Sequence, residues 1–520
     1  MHTPDRRLRS STPAILSLIL AAAILPAGIS AGISAGTATR DSIEPGWPVL
    51  AAAEIQPRIT GIEPLSHEVY GYLPYWRLNA GTVDRIRYDL VSTIAFFGLG
   101  IKKSGAIDTD WVGYREYVGE DAAAVTNAAH AHGVRVVPTF QLFDSKSGAP
   151  KMSAFLGSTA AQDRFIDEAL DLMASRQADG AGLDFEPNRA VNDRAEAYVA
   201  FVARFRAAMQ ARFPGSTLTT ATSAGANKKV IGGLVPHVDH QVLMTYNYRW
   251  TGSTITGAIA PLDNTERTVK IHVARALQWA PASGLLLGVP YYGYDWPVKS
   301  KVPNAEVRRN KAKYGHVRSV TYASARDFLA AHPKVDRNYD SVEGSGYYTY
   351  WDKDHSTFRQ VYFEEERSLA AKYDFAMATG LAGVGTWTLE NDRGYGQLYD
   401  VLRNKFYAPV HAVNLTSSIG YVRKEAGSVY VRVRLGGRNI GTVVERGSFR
   451  WAIRDTKGRV VRRGRWPVQN IFPGVRRTHR QTVRLGYASQ LPAGTYTLSV
   501  RFVAGTTTWH EPALEFRQPF

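Results

Sequence analysis

Cysteine is absent from all 520 residues of the sequence. Disulfide bonds, thiolate nucleophiles, cysteine-ligated zinc and iron–sulfur clusters are therefore excluded. The sequence also lacks a phosphate-binding loop, a Gly-x-Gly-x-x-Gly turn after a predicted strand and a His-Glu-x-x-His metal motif. His130 and His132 lie two residues apart on a predicted helix, so they do not share a face. We therefore expect neither a catalytic metal nor a cofactor.

Acidic residues are scarce relative to basic ones, with 46 Asp and Glu against 63 Lys and Arg and a formal net charge of +17. The excess is local, because residues 413–520 contain 19 Lys and Arg but 5 Asp and Glu. This segment favours an anionic envelope polymer as a partner, such as teichoic acid, lipopolysaccharide or an acidic glycan. A solvated sheet face without a partner is the alternative. We expect no nucleic-acid partner and a monomeric protein.

The apolar run near the N-terminus is too short to span a bilayer, since Ala14 to Leu25 is only 12 residues long. Three arginines precede it, and small residues follow it as far as Ala38. This arrangement is typical of a cleaved secretory signal, with an uncleaved anchor as the alternative. Two Gly-x-Ser-x-Gly matches in residues 28–36 lie inside this targeting segment and are not nucleophile elbows. We expect a secreted protein, or one in the periplasm or cell envelope.

After His67, short β-rich runs alternate with helix-compatible runs. The predicted strands are 68–74, 91–98, 134–141, 180–186, 217–223, 240–247, 285–292 and 383–390. One helix begins at Ser158 as N-cap, and others are predicted near 115–132, 193–212, 265–280, 362–379 and 395–405. Eight strands with helical crossovers predict an α/β fold of the (β/α)8 barrel type.

Two further segments complete the predicted organisation, the basic C-terminal segment and the span 299–350. The basic C-terminal segment alternates apolar and polar residues, which predicts an all-β, immunoglobulin-like sandwich of about seven strands. The span 299–350 is too long for a plain loop and predicts a small α+β insertion. The domains are a signal peptide at 1–38, a linker at 39–67, a barrel at 68–408 and the sandwich at 413–520.

The fourth predicted strand carries two carboxylates on one face. Along 180–186, Ala181, Leu183 and Phe185 form an apolar face that suits packing under the outer helices. Asp184 and Glu186 share the opposite face, which points into a barrel and towards its C-terminal mouth. Two carboxylates in a partly dry site do not both ionise easily, so one stays protonated as a general acid. A salt-bridged or capping pair at a strand end is the structural alternative.

The segment Asp179-Gly180-Ala181-Gly182-Leu183-Asp184-Phe185-Glu186 resembles the Asp-Gly-x-Asp-x-Asp-x-Glu signature of glycoside hydrolase family 18, the chitinases and related N-acetylglucosaminidases. Further segments resemble that family's motifs in its order. They are Met244-Thr245-Tyr246-Asn247, residues 288–296 and residues 383–387. Residues 71–76 and 363–368 are similar to the branch with spore-cortex and peptidoglycan-acting members.

The resemblance implies substrate-assisted, retaining hydrolysis of β-1,4 bonds at N-acetylglucosamine in chitin-type or peptidoglycan glycans. It implies that Glu186 is the general acid, that Asp184 orients the substrate's N-acetyl group and that Tyr246 hydrogen-bonds its carbonyl. Trp387 is implied to stack under the sugar. The predicted substrate-binding residues are Asp179, Asn247, Trp387, Tyr72, Trp76, Tyr292 and Trp296.

Two positions depart from the family pattern, because Gly182 replaces its second Asp and Asn247 replaces an Asp. They leave open a catalytically weak or inactive carbohydrate-binding protein, such as a chitinase-like lectin or an envelope adhesion factor. A third possibility is hydrolysis with an enzyme nucleophile, Glu390 or Asp295, opposite Glu186.

Overall fold

A computed structural model describes residues 55–60, 65–144, 149–186, 188–263, 266–407, 411–440, 445–467, 469–471 and 475–520. The predicted signal peptide and most of the predicted linker lie outside the described residues. The chain forms two compact units, one made mainly of residues 67–401 and the other mainly of residues 402–520. Within the described ranges, no helix has both the length and the apolar character needed to cross a membrane.

The first unit alternates strands and helices. Its strands are β1 Glu68–Pro74, β2 Thr93–Gly100, β3 Arg135–Phe143, β4 Gly180–Glu186, β5 Thr217–Ser223, β6 His240–Met244, β7 Leu285–Pro290, β8 Tyr292–Val298, β9 Arg318–Thr321, β10 Asn338–Asp340, β11 Ser345–Asp352, β12 Thr357–Phe363 and β13 Gly383–Trp387. The α-helices in the described part of the chain are α1 Thr82–Arg85, α2 Val112–Val118, α3 Glu120–Ala131, α4 Pro150–Leu156, α5 Thr159–Ser175, α6 Asn188–Asp193, α7 Ala195–Arg212, α8 Lys228–Leu234, α9 Val269–Ala276, α10 Lys311–Tyr314, α11 Tyr322–Ala331, α12 Glu366–Ala378 and α13 Gln397–Phe406. Short 3-10 helices occupy Tyr75–Arg77, Tyr88–Leu90, Ala282–Gly284 and Ala488–Gln490.

Eight parallel strands close into a barrel in the order β1-β13-β7-β6-β5-β4-β3-β2. Strands such as β7 are buried along their whole length, as expected when helices cover the outside and side chains fill the inside. The predicted (β/α)8 barrel is therefore confirmed. Both β6 and β13 end three residues before their predicted ends, at Met244 and Trp387.

The outer face of β4 packs against helices, as its alternation predicts. The ring of Phe185 lies 5.6 Å from that of Phe201 in α7 and 5.9 Å from that of Phe155 in α4. Helix α5 begins at its predicted cap, where Ser158 Oγ accepts a hydrogen bond from the Ala161 N–H at 3.2 Å. With Phe185 held outside, the alternate positions Asp184 and Glu186 face the interior of the barrel.

The predicted insertion is an antiparallel sheet in the order β10-β11-β12-β8-β9, accompanied by α11. Its strands span residues 292–363, beyond both ends of the predicted segment 299–350. The sheet begins early because β8 follows β7 after one residue and pairs with β12, whose residues lie some sixty positions later. Helix α12 consequently begins at Glu366 and not at the predicted 362.

The C-terminal unit is a two-sheet antiparallel sandwich, which confirms the predicted all-β class. Its nine described strands are β14 Val413–Glu425, β15 Ser428–Asn439, β16 Glu445–Arg454, β17 Val460–Arg465, β18 Gln469–Ile471, β19 Arg476–Tyr487, β20 Gly494–Ala504, β21 Thr507–His510 and β22 Leu514–Gln518. One sheet is β14-β15-β19, and the other contains β17-β16-β20-β21 with β18 and β22 at its sides. Apolar side chains from both sheets, including Val433, Phe449 and Leu498, form the core between them.

Candidate active site

Asp184 and Glu186 lie at the C-terminal end of β4, inside the barrel mouth. Asp184 is only 4% exposed, and its Oδ1 has no hydrogen-bond partner among the described residues. Burial, and then the neighbouring charge of Glu186, raises the pKa of Asp184 well above its usual range. Burial raises the pKa of Glu186 to about 7. The pair therefore holds at least one proton near neutral pH, and Asp184 offers a free acceptor to a ligand.

Neighbouring side chains occupy the space that a side chain at Gly182 would fill. A Cβ atom there would lie 2.9 Å from Thr139 Oγ1 and 3.0 Å from the Tyr70 hydroxyl. An Asp at this position would require both side chains to move. The space that the family's second Asp would use is thus occupied by Thr139 and by the phenol of Tyr70, which lies on the inner face of β1.

Three tyrosines surround the two carboxylates. Burial raises the pKa of Tyr246 well above its usual value, and the charges of Asp184 and Glu186 raise it further. Burial does the same for Tyr72, with Asp184 among its neighbouring charges, and for Tyr292, with Glu186 among them. All three phenols therefore remain protonated, and those of Tyr246 and Tyr72 can donate a hydrogen bond to a ligand.

Asn247 holds two of the tyrosines that follow β7. Its Oδ1 accepts hydrogen bonds from the Tyr292 hydroxyl at 2.7 Å and the Tyr294 hydroxyl at 3.0 Å. Its backbone is left-handed, with φ of 60°, a conformation that asparagine tolerates better than most residues. Asn247 thus positions Tyr292 beside Tyr246, whose ring lies 6.4 Å away, without adding a charge next to Glu186.

Trp387 and Trp76 form an aromatic platform at the mouth of the barrel. The ring of Trp387, at the end of β13, lies 4.7 Å from Phe97, 5.4 Å from Tyr72 and 6.3 Å from Trp76. Trp387 is half-buried, and Trp76 is 42% exposed. Partly exposed indoles fixed in this way are suited to stack on a pyranose ring.

Asp179 does not belong to the site, which corrects the prediction that it binds substrate. It precedes β4 at the end opposite Glu186, roughly 20 Å away along the strand. Its carboxylate pairs with Arg58 at 2.7 Å and His130 at 3.0 Å and accepts the Val136 N–H at 2.8 Å. Burial by itself raises the pKa of Asp179, but these hydrogen bonds outweigh it and hold the pKa below its usual value. Asp179 is a half-buried structural residue at the end of the barrel opposite the mouth.

The prediction that Trp296 binds substrate is also wrong. It is completely buried, and its indole N–H donates to the Trp250 carbonyl at 3.2 Å. It lies on β8, where its ring packs 5.5 Å from that of Tyr294. With no exposed face, Trp296 packs inside the insertion and offers no surface for stacking a sugar.

The two carboxylates considered as enzyme nucleophiles are already paired. Asp295 accepts hydrogen bonds from Arg359 Nε and the Tyr350 hydroxyl, both at 2.9 Å. Glu390 accepts from Arg85 Nε at 2.6 Å. Within the described ranges, no three His, Asp or Glu side chains cluster as a metal site. Of the four carboxylates, Asp184 and Glu186 form no ion pair with an arginine among the described residues, unlike Asp295 and Glu390.

Sequence reasoning missed Tyr70 and Tyr294. Tyr70 is two residues before Tyr72 on β1, so period-two alternation could have placed both on the inner face. Tyr294 likewise lies two residues from the predicted Tyr292 on β8, but its hydrogen bond to Asn247 has no signal in the sequence.

Comparison with known proteins agrees with this arrangement. The family model described as "Glycosyl hydrolases family 18" matches residues 83–392, more than half of the chain. The Bacillus subtilis protein YdhD, which is named as a sporulation-specific glycosylase, is 25% identical over 348 residues, covering 63% of this chain and 74% of that protein. The cortical fragment-lytic enzyme of Bacillus anthracis is 22% identical over 57% of this chain, which spans 64% of that enzyme's length. The crystal structure of the Ostrinia furnacalis Group IV chitinase with allosamidin superimposes with a TM-score of 0.57 at 20% identity, covering 65% of this chain and 98% of that chain.

Proposed function

Since the chain belongs to glycosyl hydrolase family 18 and is an O-glycosyl hydrolase, we propose that its barrel cleaves β-1,4 bonds at N-acetylglucosamine. The proposed reaction retains the anomeric configuration, with the substrate's own acetamido group as nucleophile. Its substrate is a chitin-type or peptidoglycan glycan, the classes suggested by the chitinase and the cortex-lytic enzyme among the similar proteins.

The first half of the proposed reaction forms a cyclic intermediate. Glu186, kept protonated by its raised pKa, donates its proton to the glycosidic oxygen as the bond from that oxygen to C1 breaks. The acetamido carbonyl oxygen forms a bond to C1 from the opposite face. Asp184 Oδ1 accepts the acetamido N–H, which orients the carbonyl and stabilises the positive charge on the cyclised group.

The second half returns the enzyme to its starting state. A water molecule attacks C1, and Glu186 takes a proton from that water. The bond between C1 and the acetamido oxygen breaks, so C1 regains its original configuration. Tyr246 donates a hydrogen bond to the acetamido carbonyl, and Trp387 supports the sugar ring from below. This family of mechanisms needs no enzyme nucleophile.

One observation carries the proposal. The mouth holds a buried Asp184 and a half-buried Glu186 with raised pKa values, while Asp295 and Glu390 are both paired with arginines. A thiazoline analogue of the cyclised intermediate tests it. We expect competitive inhibition of chito-oligosaccharide hydrolysis by this compound. Absence of inhibition at saturating analogue, with turnover intact, would favour an enzyme nucleophile instead. Mass spectrometry of the products from chito-oligosaccharides and purified peptidoglycan identifies the substrate class.

The pH dependence of the activity follows from the carboxylate pair. Glu186 acts as an acid, so its active form is protonated and disappears as pH rises through about 7. We expect kcat on chito-oligosaccharides to fall about tenfold for each pH unit above that value. Initial rates from pH 4 to 9 in constant ionic strength provide the measurement. A rate that keeps rising above pH 8 would mean that Glu186 acts in its ionised form.

We propose that the protein acts outside the cytoplasm, on the strength of its basic and apolar N-terminal sequence. N-terminal sequencing of protein recovered from the culture medium or envelope checks this. Cleavage after Ala31, Ala35 or Ala38 is expected, and retention of the full N-terminus in the cytoplasm would oppose it.

The C-terminal sandwich is proposed to bind an anionic envelope polymer through one sheet face. This arginine face is the outer side of β14-β15-β19, and it carries Arg423, Arg432, Arg434, Arg438, Arg476, Arg480 and Arg484. Arg434 lies directly opposite Arg480, and Arg438 opposite Arg476. Like charges at directly opposed positions destabilise a sheet. Arg423 pairs with Glu425, and the other six form no ion pair with any described residue.

Neutralising this face tests the proposal. The double change Arg434→Gln and Arg480→Gln is expected to weaken cosedimentation with purified cell wall about tenfold or more, because two guanidinium contacts to anions are lost. High salt should weaken the wild type similarly. Arg477→Gln is the matched control, since Arg477 lies on β19 but points to the other side of the sheet. Unchanged binding by the double variant would overturn this role.

A further inference from the structure

A cavity opens at the barrel mouth beside Trp387 and Trp76. This mouth pocket has a volume of about 340 Å³ and lies between the segments that follow β1 and β13. It is lined by Trp76, Arg77, Asn79, Arg85, Glu390 and Arg393. Because Trp76 also contacts Trp387, the pocket borders the surface on which a sugar is proposed to stack. Its volume is roughly ten times the ~30 Å³ that one water molecule takes up in the liquid, enough for a substituent of a sugar ring.

Three arginines face this pocket, and two of them have anionic partners. Arg85 donates to Glu390 and to Asn79 Oδ1. Arg393 pairs with Asp327, on the exposed surface. These two guanidinium groups are therefore balanced within the protein.

Arg77 is the exception. Its side chain forms no ion pair with any described residue, and its Nε is buried without a hydrogen-bond partner. Burial lowers the pKa of Arg77, and the nearby charge of Arg393 lowers it further, while Glu390 opposes both. A half-buried guanidinium group with a donor that makes no hydrogen bond costs free energy, unless a ligand accepts that hydrogen bond.

We propose that the mouth pocket binds a substrate carboxylate next to the sugar on Trp387, with Arg77 as its main contact. The inference rests on the proposed function, and it names the substrate as peptidoglycan glycan. Chitin has no carboxylate. Peptidoglycan has two kinds: the free lactyl carboxylate of N-acetylmuramic acid where the peptide has been removed, and the acidic residues of the peptide where it remains. A planar guanidinium binds either through paired, charge-assisted hydrogen bonds.

Three substrates separate these sources: chito-oligosaccharides, glycan strands stripped of peptide, and strands that retain their peptides. We expect Arg77→Gln to lower kcat/KM about 10- to 100-fold on a carboxylate-bearing substrate, the range for loss of a hydrogen bond to a charged group. On chito-oligosaccharides the change should stay within about twofold, the spread allowed for a site that makes no contact there. Loss on stripped strands assigns the lactyl carboxylate, and loss confined to peptide-bearing strands assigns the peptide.

Arg87→Gln is the matched control, because Arg87 is an exposed arginine of the same region whose partner is Asp89 and which does not line the pocket. It should leave all three substrates unaffected. An equal effect of Arg77→Gln on all three substrates, or no effect on any, overturns the proposal. If the wild type cleaves none of the substrates, the proposed function itself fails.

Calorimetry on the Glu186→Gln variant tests the pocket without turnover, because that variant lacks the proposed general acid. The ligands are a disaccharide of N-acetylglucosamine and N-acetylmuramic acid, its methyl ester, and a tripeptide with two acidic residues. Binding of the free acid or of the tripeptide about tenfold tighter than binding of the ester supports a carboxylate site. Equal affinity for all three ligands contradicts it.

Discussion

Replacing Glu186 by Gln lowers kcat on chito-oligosaccharides by about 10³-fold, within the 10²–10⁴ range for loss of a general acid, while KM stays within a few-fold. The amide keeps the size and most contacts of the side chain but cannot supply the proton. Initial-rate kinetics on wild type and variant provide the measurement. Glu196→Gln is the control, since Glu196 is an exposed carboxylate paired with Lys229 outside the mouth. A Glu186 variant that keeps a tenth or more of the wild-type kcat would exclude the assigned role.

The same variant has a stability signature that distinguishes it from a misfolded protein. Folding raises the pKa of Glu186 from 4.5 to about 7, so the folded state binds this proton more tightly than the unfolded chain. The associated stability is complete below about pH 4.5 and is lost as pH rises to 7 and beyond, which amounts to about 3 kcal/mol. Because Gln carries no charge, the variant should melt at a higher temperature than wild type at pH 8 and at a similar temperature at pH 4.5.

Replacing Asp184 by Asn lowers kcat/KM by about 10²-fold, the magnitude typical of losing one preorganised electrostatic contact in a transition state. Unlike the carboxyl group, the amide cannot ionise, so it cannot supply a negative charge when the positive charge forms on the cyclised acetamido group. Affinity for the thiazoline analogue should fall by a similar factor, because the analogue carries the same ring. Tyr246→Phe, which removes one hydroxyl and no charge, is expected to lose less.

Comparing the change in kcat/KM with the change in inhibitor affinity shows which group Asp184 acts on. If Asp184→Asn leaves thiazoline binding intact while kcat/KM collapses, Asp184 acts on Glu186 and not on the acetamido group. A kcat/KM within threefold of wild type would remove Asp184 from the mechanism altogether.

Much of the barrel could be predicted because local pattern and tertiary role coincide there. Strand β4 was predicted at the bounds it has, since its outer face is a clean apolar alternation that aromatic residues of the helices cover. The end of β6 was not, because Asn247 turns into the left-handed region to hold Tyr292 and Tyr294. That turn is a consequence of contacts with another strand, which a single window of sequence does not contain.

The same distinction between local pattern and distant contacts applies to the site residues. Asp184 and Glu186 follow from their place at one end of a strand, whereas Asp179 shares their motif but lies at the other end, where Arg58 and His130 meet it. Those partners come from distant parts of the chain. The burial of Trp296 and the mouth pocket depend likewise on pairings that span many residues. A motif places residues along a strand, but only the fold decides which end of the strand reaches substrate.

The anomeric form of the first product distinguishes attack by the substrate's acetamido group from direct attack by water. Proton NMR during the first minutes of chito-oligosaccharide hydrolysis, before mutarotation, resolves the two anomers of the new reducing end. Attack by the acetamido group followed by water predicts that the β-anomer forms first. Initial formation of the α-anomer would show inversion by direct attack of water and would contradict the account. Binding without any product would identify a carbohydrate-binding protein in place of an enzyme.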